Sequence, residues 1–245
     1  MHGAGNSFVI VDNAHGELQG GDYGVLALRL CREKHTDGMI VLSPDGDGAD
    51  LSMLFYNADG SLGEMCGNGA RCAARYGVEH GLVRDERQIR IRATAGLVLA
   101  RRITDELYEI RLNDPSVIEL EKTAVLDGET VACSYIELGE PGIPHAVVLA
   151  EAAAFDDPDA LRERGRALRH SPSFPKGANV SFVCLTGRRR VRAVTFERGV
   201  EDFTLACGTG CGAIALSLLL SGAVEGDSLT VDMPGGTLSV TLRRA

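Results

Sequence analysis

Cys66-Gly67-Asn68-Gly69-Ala70-Arg71 and Cys207-Gly208-Thr209-Gly210-Cys211-Gly212 stand 141 residues apart and share the pattern Cys-Gly-x-Gly. The likeness spreads outward at the same offset. Phe55 and Phe196 each precede their cysteine by eleven positions, and Gly81-Leu82-Val83 and Gly222-Ala223-Val224 each begin fifteen after it. In both copies an apolar run leads through a polar loop into the motif: Leu51-Ser52-Met53-Leu54-Phe55-Tyr56 in one, Val191-Arg192-Ala193-Val194-Thr195-Phe196 in the other. A helical stretch follows, then a β-like run at 89–91 and 229–231. The chain reads as a duplicated unit carrying two cysteines in equivalent places. Two such halves packed face to face about a pseudo-two-fold axis would place both cysteine loops at their junction, a pocket with a thiol on each side.

At 245 residues the chain is long enough for two domains with real cores. Hydrophobic content of 44% and charged content of 24% describe an ordinary globular protein. A net charge of −9 argues against nucleic acid or an anionic membrane as partner, and Arg188-Arg189-Arg190 reads as a solvated turn. No apolar run approaches the ~20 residues of a membrane span, and no signal peptide is read at the start, so the expected location is cytoplasmic. Seven cysteines without a paired C-x-x-C pattern suggest reduced thiols and no metal site.

Along the chain, a Gly-rich loop at 3–7 feeds a strand at 8–11. A helix is expected over 23–31 with Val25, Leu28 and Cys31 inward, then a strand at 39–42. The first motif opens a helix over 68–79, whose Ala70, Ala73 and Ala74 would let a sheet wrap closely around it. Strands at 89–91, 97–99 and 107–112 complete this half, and Asn113-Asp114-Pro115 marks the boundary. The second half carries strands at 135–138, 146–149 and 180–183, a helix over 158–169 capped by the preceding aspartates, and final strands at 229–231 and 238–242.

The chemistry follows from the motif. A helix N-terminus exposes unpaired N–H groups and the positive end of the peptide dipole, so two such ends would grip one carboxylate. The same position lowers a thiol pKa, which is expected to make Cys66 and Cys207 thiolate-forming acid/base groups. One thiolate and one thiol on opposite faces of an α-carbon would remove a proton and return another, inverting the centre without an aldehyde cofactor. The helix dipole supplies only about 0.3 to 2 kcal/mol and oriented donors about 3 to 4 kcal/mol. Exclusion of water by domain closure must lower much of the remaining barrier. Cys31, Cys72, Cys133, Cys184 and Cys211 read instead as small buried hydrophobes.

These residues resemble the diaminopimelate epimerase family of cofactor-independent, two-cysteine amino acid epimerases. The match runs in order through His2-Gly3-Ala4-Gly5-Asn6-Ser7-Phe8, Asp37-Gly38, Asn57-Ala58-Asp59-Gly60-Ser61, the first cysteine motif, Pro144-His145, Asn179-Val180, Glu197-Arg198-Gly199 and the second cysteine motif. The resemblance implies an α/β fold of the α+β type: two pseudo-symmetric domains, each a curved mixed sheet wrapped around a central helix, with the active site at their interface. The domains would be 1–113, joined by the last strand at 236–245, and 114–235. It implies Cys66 and Cys207 as the catalytic pair, with His145 and Glu197 helping to set their protonation. The reacting carboxylate would lie on backbone N–H groups of Gly67, Asn68, Gly208 and Thr209. The distal amino acid end would be held by Asn57, Asn179 and Arg198, with Glu197 and Asn6 also lining the pocket. A satisfied core histidine and a surface Glu197–Arg198 pair are the bland alternatives.

The implied activity is conversion of LL- to meso-diaminopimelate in lysine and peptidoglycan precursor synthesis, with no cofactor and an amino acid as partner; a homodimer is compatible with it. Ile143 departs from the family pattern where an asparagine is expected at the distal end, and Ser7 where an aspartate is expected. A racemase of another amino acid therefore stands as an alternative, and a non-catalytic anion-binding or thiol-redox module as a third reading.

Overall fold

Both apolar runs that lead into the cysteine motifs become strands, each in its own curled mixed sheet. The structure is a computed structural model, and it describes residues 1–16, 18, 22–63, 65–126 and 128–243. The chain divides into two compact units, Met1–Leu112 and Asn113–Ala245.

In the first unit the strands are β1 (His2–Gly3), β2 (Asn6–Asp12), β3 (Gly38–Pro44), β4 (Leu51–Asn57), β5 (Leu62–Gly63), β6 (Ile89–Ala93), β7 (Gly96–Arg102) and β8 (Tyr108–Ile110). They lie in the order β1-β2-β3-β4-β6-β7-β8, with β5 on β4. Only β2/β3 and β4/β6 are parallel, and each of these pairs needs a crossover: helix α1 (Tyr23–Lys34) for the first, α2 (Gly67–Glu79) for the second. Strand β3 is buried on both faces, so its period of two feeds two cores. Ile40 and Leu42 meet Ala70, Ala73 and Ala74 of α2, while Met39 and Val41 meet Ala27 and Cys31 of α1. The small residues of α2 let the sheet close around it.

The inward face of α1 is not the one expected. Val25 and Leu28 are 62% and 51% exposed, and Ala27 and Cys31, one turn apart, are the buried pair. Tyr23, Leu26 and Leu30 pack partly around them. The outcome puts small side chains against a tightly packed strand and long ones in solvent.

The second unit repeats the plan. Its strands are β9 (Pro115–Leu126), β10 (Glu129–Leu138), β11 (Ile143–Leu149), β12 (Asn179–Gly187), β13 (Arg190–Glu197), β14 (Asp202–Phe203), β15 (Ser228–Met233) and β16 (Gly236–Thr241), in the order β16-β15-β13-β12-β11-β10-β9 with β14 on β13. The parallel pairs are β11/β12 and β13/β15, crossed over by α3 (Pro158–Arg169) and α4 (Gly208–Leu220). Helix α4 is buried almost all round, with Ala213, Ile214, Ala215 and Leu218 in the core. Helix α3 covers the opposite face, where Leu161 and Leu168 meet Val180, Phe182 and Phe196. Helices α2 and α4 have the same length and start at the two equivalent motif positions.

Strand β16 corrects the expected domain assignment. It pairs antiparallel with β15 from Met233↔Gly236 to Ser228↔Thr241, so 236–241 belongs to the second sheet and not to the first half. Pro234 and Gly235 form a tight turn between the two strands, which makes hairpin closure on the adjacent strand the shortest route. Residues 244–245 of that expected strand lie outside the described residues. The long strand β9 had no counterpart in the sequence reading.

Candidate active site

Each motif cysteine is the N-cap of its helix. Cys66 has extended φ/ψ of −135° and 106°, and its Sγ accepts the Gly69 N–H at 3.3 Å. Cys207 has −114° and 109°, and its Sγ accepts the Gly210 N–H at 3.3 Å. A thiol therefore takes the place that a serine or aspartate oxygen ordinarily fills. The fourth motif residue is glycine for a steric reason. A β-carbon at Gly210 would lie 3.2 Å from Cys207 Sγ and 3.1 Å from Thr195 Oγ1; one at Gly69 would lie 3.0 Å from Ile40 Cδ1. At Gly208, by contrast, a β-carbon would meet no described atom within 4 Å. Packing does not require glycine there, whereas close approach of a ligand to the first turn would.

In the first unit Cys66 is half-buried. The neighbouring Asn68 is buried, and its Nδ2 donates to Asn6 Oδ1 at 2.7 Å, tying α2 to the start of β2. Arg71, one helical turn on, donates to Asn68 Oδ1. Gly67 is the first helical residue. Asn57 ends β4 opposite Gly38, and its Nδ2 donates to Ser61 Oγ at 2.9 Å. The structure thus groups Cys66, Gly67, Asn68 and Asn6, with Asn57 held by its own loop.

The second unit brings charged groups to its cysteine. Cys207 is buried, and its Sγ lies 3.5 Å from Thr209 Oγ1. Glu197, the last residue of β13, shares a hydrogen bond with the Cys207 thiol and accepts another from Thr204 Oγ1. Burial pushes the Glu197 carboxyl up, against the lowering pull of those two donors. Burial also pushes the Cys207 thiol well above its ordinary value, and the Glu197 charge adds to it; the hydrogen bonds from Thr209 and Gly210 pull the other way and lose. The expected depression of this thiol by the helix terminus is therefore reversed.

His145 lies on β11, fully buried, and neither ring nitrogen has a hydrogen-bond partner among the described residues. Burial, with the Arg198 guanidinium as second cause, pushes its pKa down to about 3, so the imidazole is neutral. It is not the satisfied core histidine of the bland reading. Across the parallel β11/β12 ladder its register partner is Asn179. Asn179 makes one hydrogen bond from each end of its amide: Nδ2 donates to Pro144 O at 3.2 Å, and Oδ1 accepts the Arg198 N–H at 2.7 Å. Arg198 is exposed, one residue beyond β13, and its guanidinium donates to Lys176 O at 3.1 Å. It forms no ion pair with Glu197 among the described residues, which removes the surface-pair reading.

Thr204 and Arg71 contact the expected site residues, yet the sequence reading gave them no role. Thr204 sits in a loop with no motif of its own; Arg71 stood inside the motif, and its spacing of three from Asn68 was the available signal. Cys31, Cys72, Cys133 and Cys211 are buried as expected of small hydrophobes, but Cys184 is only half-buried. Among the described residues no group of three or more His, Cys, Asp or Glu is placed to hold a metal, and no helix is long and apolar enough to cross a membrane.

Comparison with known proteins places these features in context. The family model described as diaminopimelate epimerase matches residues 1–112 and 140–245. A diaminopimelate epimerase of Aquifex aeolicus is 37% identical, covering 95% of this chain and 88% of that protein. One of Caldanaerobacter subterraneus is 32% identical, covering 98% and 89%. Among solved structures, a hydroxyproline epimerase from Agrobacterium vitis superposes with a TM-score of 0.66 at 20% identity, covering 99% of this chain and 81% of that one. A PhzF-family protein of Bacillus anthracis gives 0.69 at 14%, covering 98% and 85%. At such identities the structural likeness speaks to fold alone.

Proposed function

Because this chain belongs to the diaminopimelate epimerase family, we propose that it epimerises LL-diaminopimelate to the meso form, using Cys66 and Cys207 as the two acid/base groups and no cofactor. The observation that carries the reading is the repeated placement of a cysteine as N-cap of a glycine-rich helix start, at the same position of both duplicated units.

The chain's own residues supply the steps. The substrate α-carboxylate lies on first-turn N–H groups at Gly67, Asn68, Gly208 and Thr209, where the helix dipole also favours charge as it develops on the carboxylate oxygens. One cysteine takes the α-proton and the other delivers a proton to the opposite face. Cys207, held protonated by burial and by Glu197, is the proton donor in the resting enzyme, and Cys66 takes the part of the base. After one turnover the roles are exchanged, and Glu197 with neutral His145 provides the environment in which Cys207 regains its proton. Arg198, with Asn179 and Asn57, receives the distal end of the substrate, and Asn6 supports the pocket wall through Asn68. The place of action is the cytoplasm, and the product serves lysine and cell-wall precursor synthesis.

The test is α-proton exchange of LL-diaminopimelate in deuterated water with no added cofactor, under reducing conditions. Deuterium should enter the meso product, and Cys66→Ala or Cys207→Ala should each lower turnover by at least about a hundredfold. No exchange by the wild type, or full activity in either variant, sinks the reading.

One observation favours a second substrate. Ile143, half-buried at the start of β11, presents no hydrogen-bonding side chain where the family resemblance expects a distal-end asparagine. An amino acid with a shorter or less polar side chain would then be preferred, because polar recognition discriminates far better than apolar fit. A panel of single amino acids scored for deuterium uptake decides between the two.

A further inference from the structure

A second polar network stands behind Arg198, built from residues that have no part in the reaction described above. Glu137, near the end of β10, is a buried carboxylate. It accepts the Tyr135 hydroxyl at 2.6 Å and the Lys176 ammonium at 3.1 Å on one oxygen and 3.0 Å on the other. Burial pushes the Glu137 carboxyl up, but the Tyr135 and Lys176 hydrogen bonds and the charges of Lys176 and Arg198 outweigh it and hold it below the ordinary range. The ammonium is half of a fixed pair although the Lys176 side chain is 64% exposed.

The backbone of Lys176 is fixed as well. It lies in a turn closed by the Gly177 N–H on Phe174 O at 2.7 Å, with Gly177 in the left-handed region at φ +66°. Phe174 is buried and stacks on Tyr135 with ring centroids 5.5 Å apart and planes 10° from parallel. The carbonyl at Lys176 then accepts the Arg198 guanidinium at 3.1 Å, while Asn179 holds the Arg198 backbone N–H. The described structure thus links the Arg198 side chain, exposed at a strand end, through Lys176 to a carboxylate in the core. Gly142 leaves room for this: a β-carbon there would lie 2.5 Å from Glu137 Oε2.

We propose that Glu137, Lys176 and Tyr135 are positioning residues for Arg198, and that through it they set how tightly the enzyme holds an amino acid whose far end carries a carboxylate. The proposal rests on the reading of Arg198 as the carboxylate clamp. A long exposed arginine left to itself loses side-chain entropy on binding. Fixing the carbonyl that it donates to removes part of that cost before substrate arrives, and a two-pronged contact with a carboxylate depends on such orientation.

Two measurements test it. The first is kinetic, with LL-diaminopimelate. Lys176→Met should raise KM about tenfold with kcat within about twofold, and Lys176→Arg should restore wild-type KM. In an Arg198→Ala background Lys176→Met should change KM no further. A fall in kcat at unchanged KM, or an equal effect with and without Arg198, overturns the proposal. The second needs no substrate: ¹⁵N relaxation of the Arg198 Nε–H, which should be ordered in the wild type and mobile in Lys176→Met and in Tyr135→Phe. Unchanged order in both variants overturns the positioning claim by itself. A wild type inert toward diaminopimelate ends the epimerase reading instead, and the relaxation measurement still decides whether the network holds Arg198.

Discussion

At Cys207 three effects compete, and burial wins. A helix N-terminus stabilises a thiolate by roughly 0.3 to 2 kcal/mol, and the N–H of Gly210 is correctly aimed at the sulfur. Neither offsets desolvation with a carboxylate alongside. The motif made the helix start legible, but the partner that decides protonation, Glu197, comes from another strand, and nothing in the spacing of Cys-Gly-Thr-Gly reports its distance. His145 yields a prediction with a definite sign. Its pKa is about 3 in the folded chain against an ordinary 6.5. Between those values the unfolded chain binds a proton that the folded chain does not, so the stability tied to this group is intact above pH 6.5 and is lost as pH falls toward 3. The slope is at most about 1.4 kcal/mol per pH unit. His145→Gln should flatten the decline over that window, as followed by urea unfolding at a series of pH values; parallel curves for the two proteins would refute it.

At the level of single elements, helices announced by motif or cap were legible. The span 158–169 coincides with α3, and α4 follows the second cysteine motif as expected. What failed was choice of face. In α1 the large apolar residues Val25 and Leu28 looked inward by hydropathy, but β3 offers a flat, tightly packed surface that admits Ala27 and Cys31. Strand β9 escaped notice because it is an edge strand rich in charge, with Pro115 at its start and Glu119, Glu121 and Lys122 along it. Gly208 carries the prediction at this scale. Alanine there meets no described neighbour and improves helix propensity, so Gly208→Ala should keep or raise the melting temperature, by up to about 1 kcal/mol of stability. Exchange activity should fall at least about tenfold, since the methyl occupies the approach to the N–H groups. Loss of fold, or unchanged activity, would show that the glycine serves something other than ligand access.

Across the whole molecule the duplication was the most legible property, and the structure repeats the order and the sign of pairing of β1-β2-β3-β4-β6-β7 in β10-β11-β12-β13-β15-β16, while β8 and β9 have no counterpart. The fate of the last strand was not, because hairpin closure at Pro234 and Gly235 is a local preference that the domain assignment implied by family resemblance had overridden. Two-base chemistry asks the two units to deliver Cys66 and Cys207 to one α-carbon. Mild oxidation of the substrate-free protein should therefore join them in a disulfide and abolish exchange, with recovery on adding thiol. Non-reducing peptide mapping checks this; oxidative loss of activity with other cysteines paired, or none, would count against it.

Phe55 and Phe196 anchor the strands that lead to the cysteines, and both lie eleven positions upstream. The aromatic ring pins one end of each connection and the helix cap pins the other, so the connection behaves as a ruler. Insertions at the β7–β8 or β12–β13 turns would be absorbed locally, whereas one residue gained or lost within 57–65 or 198–206 would move a sulfur off its cap. A library randomised in loop length and selected for growth should return these two spans at a single size and the others at many.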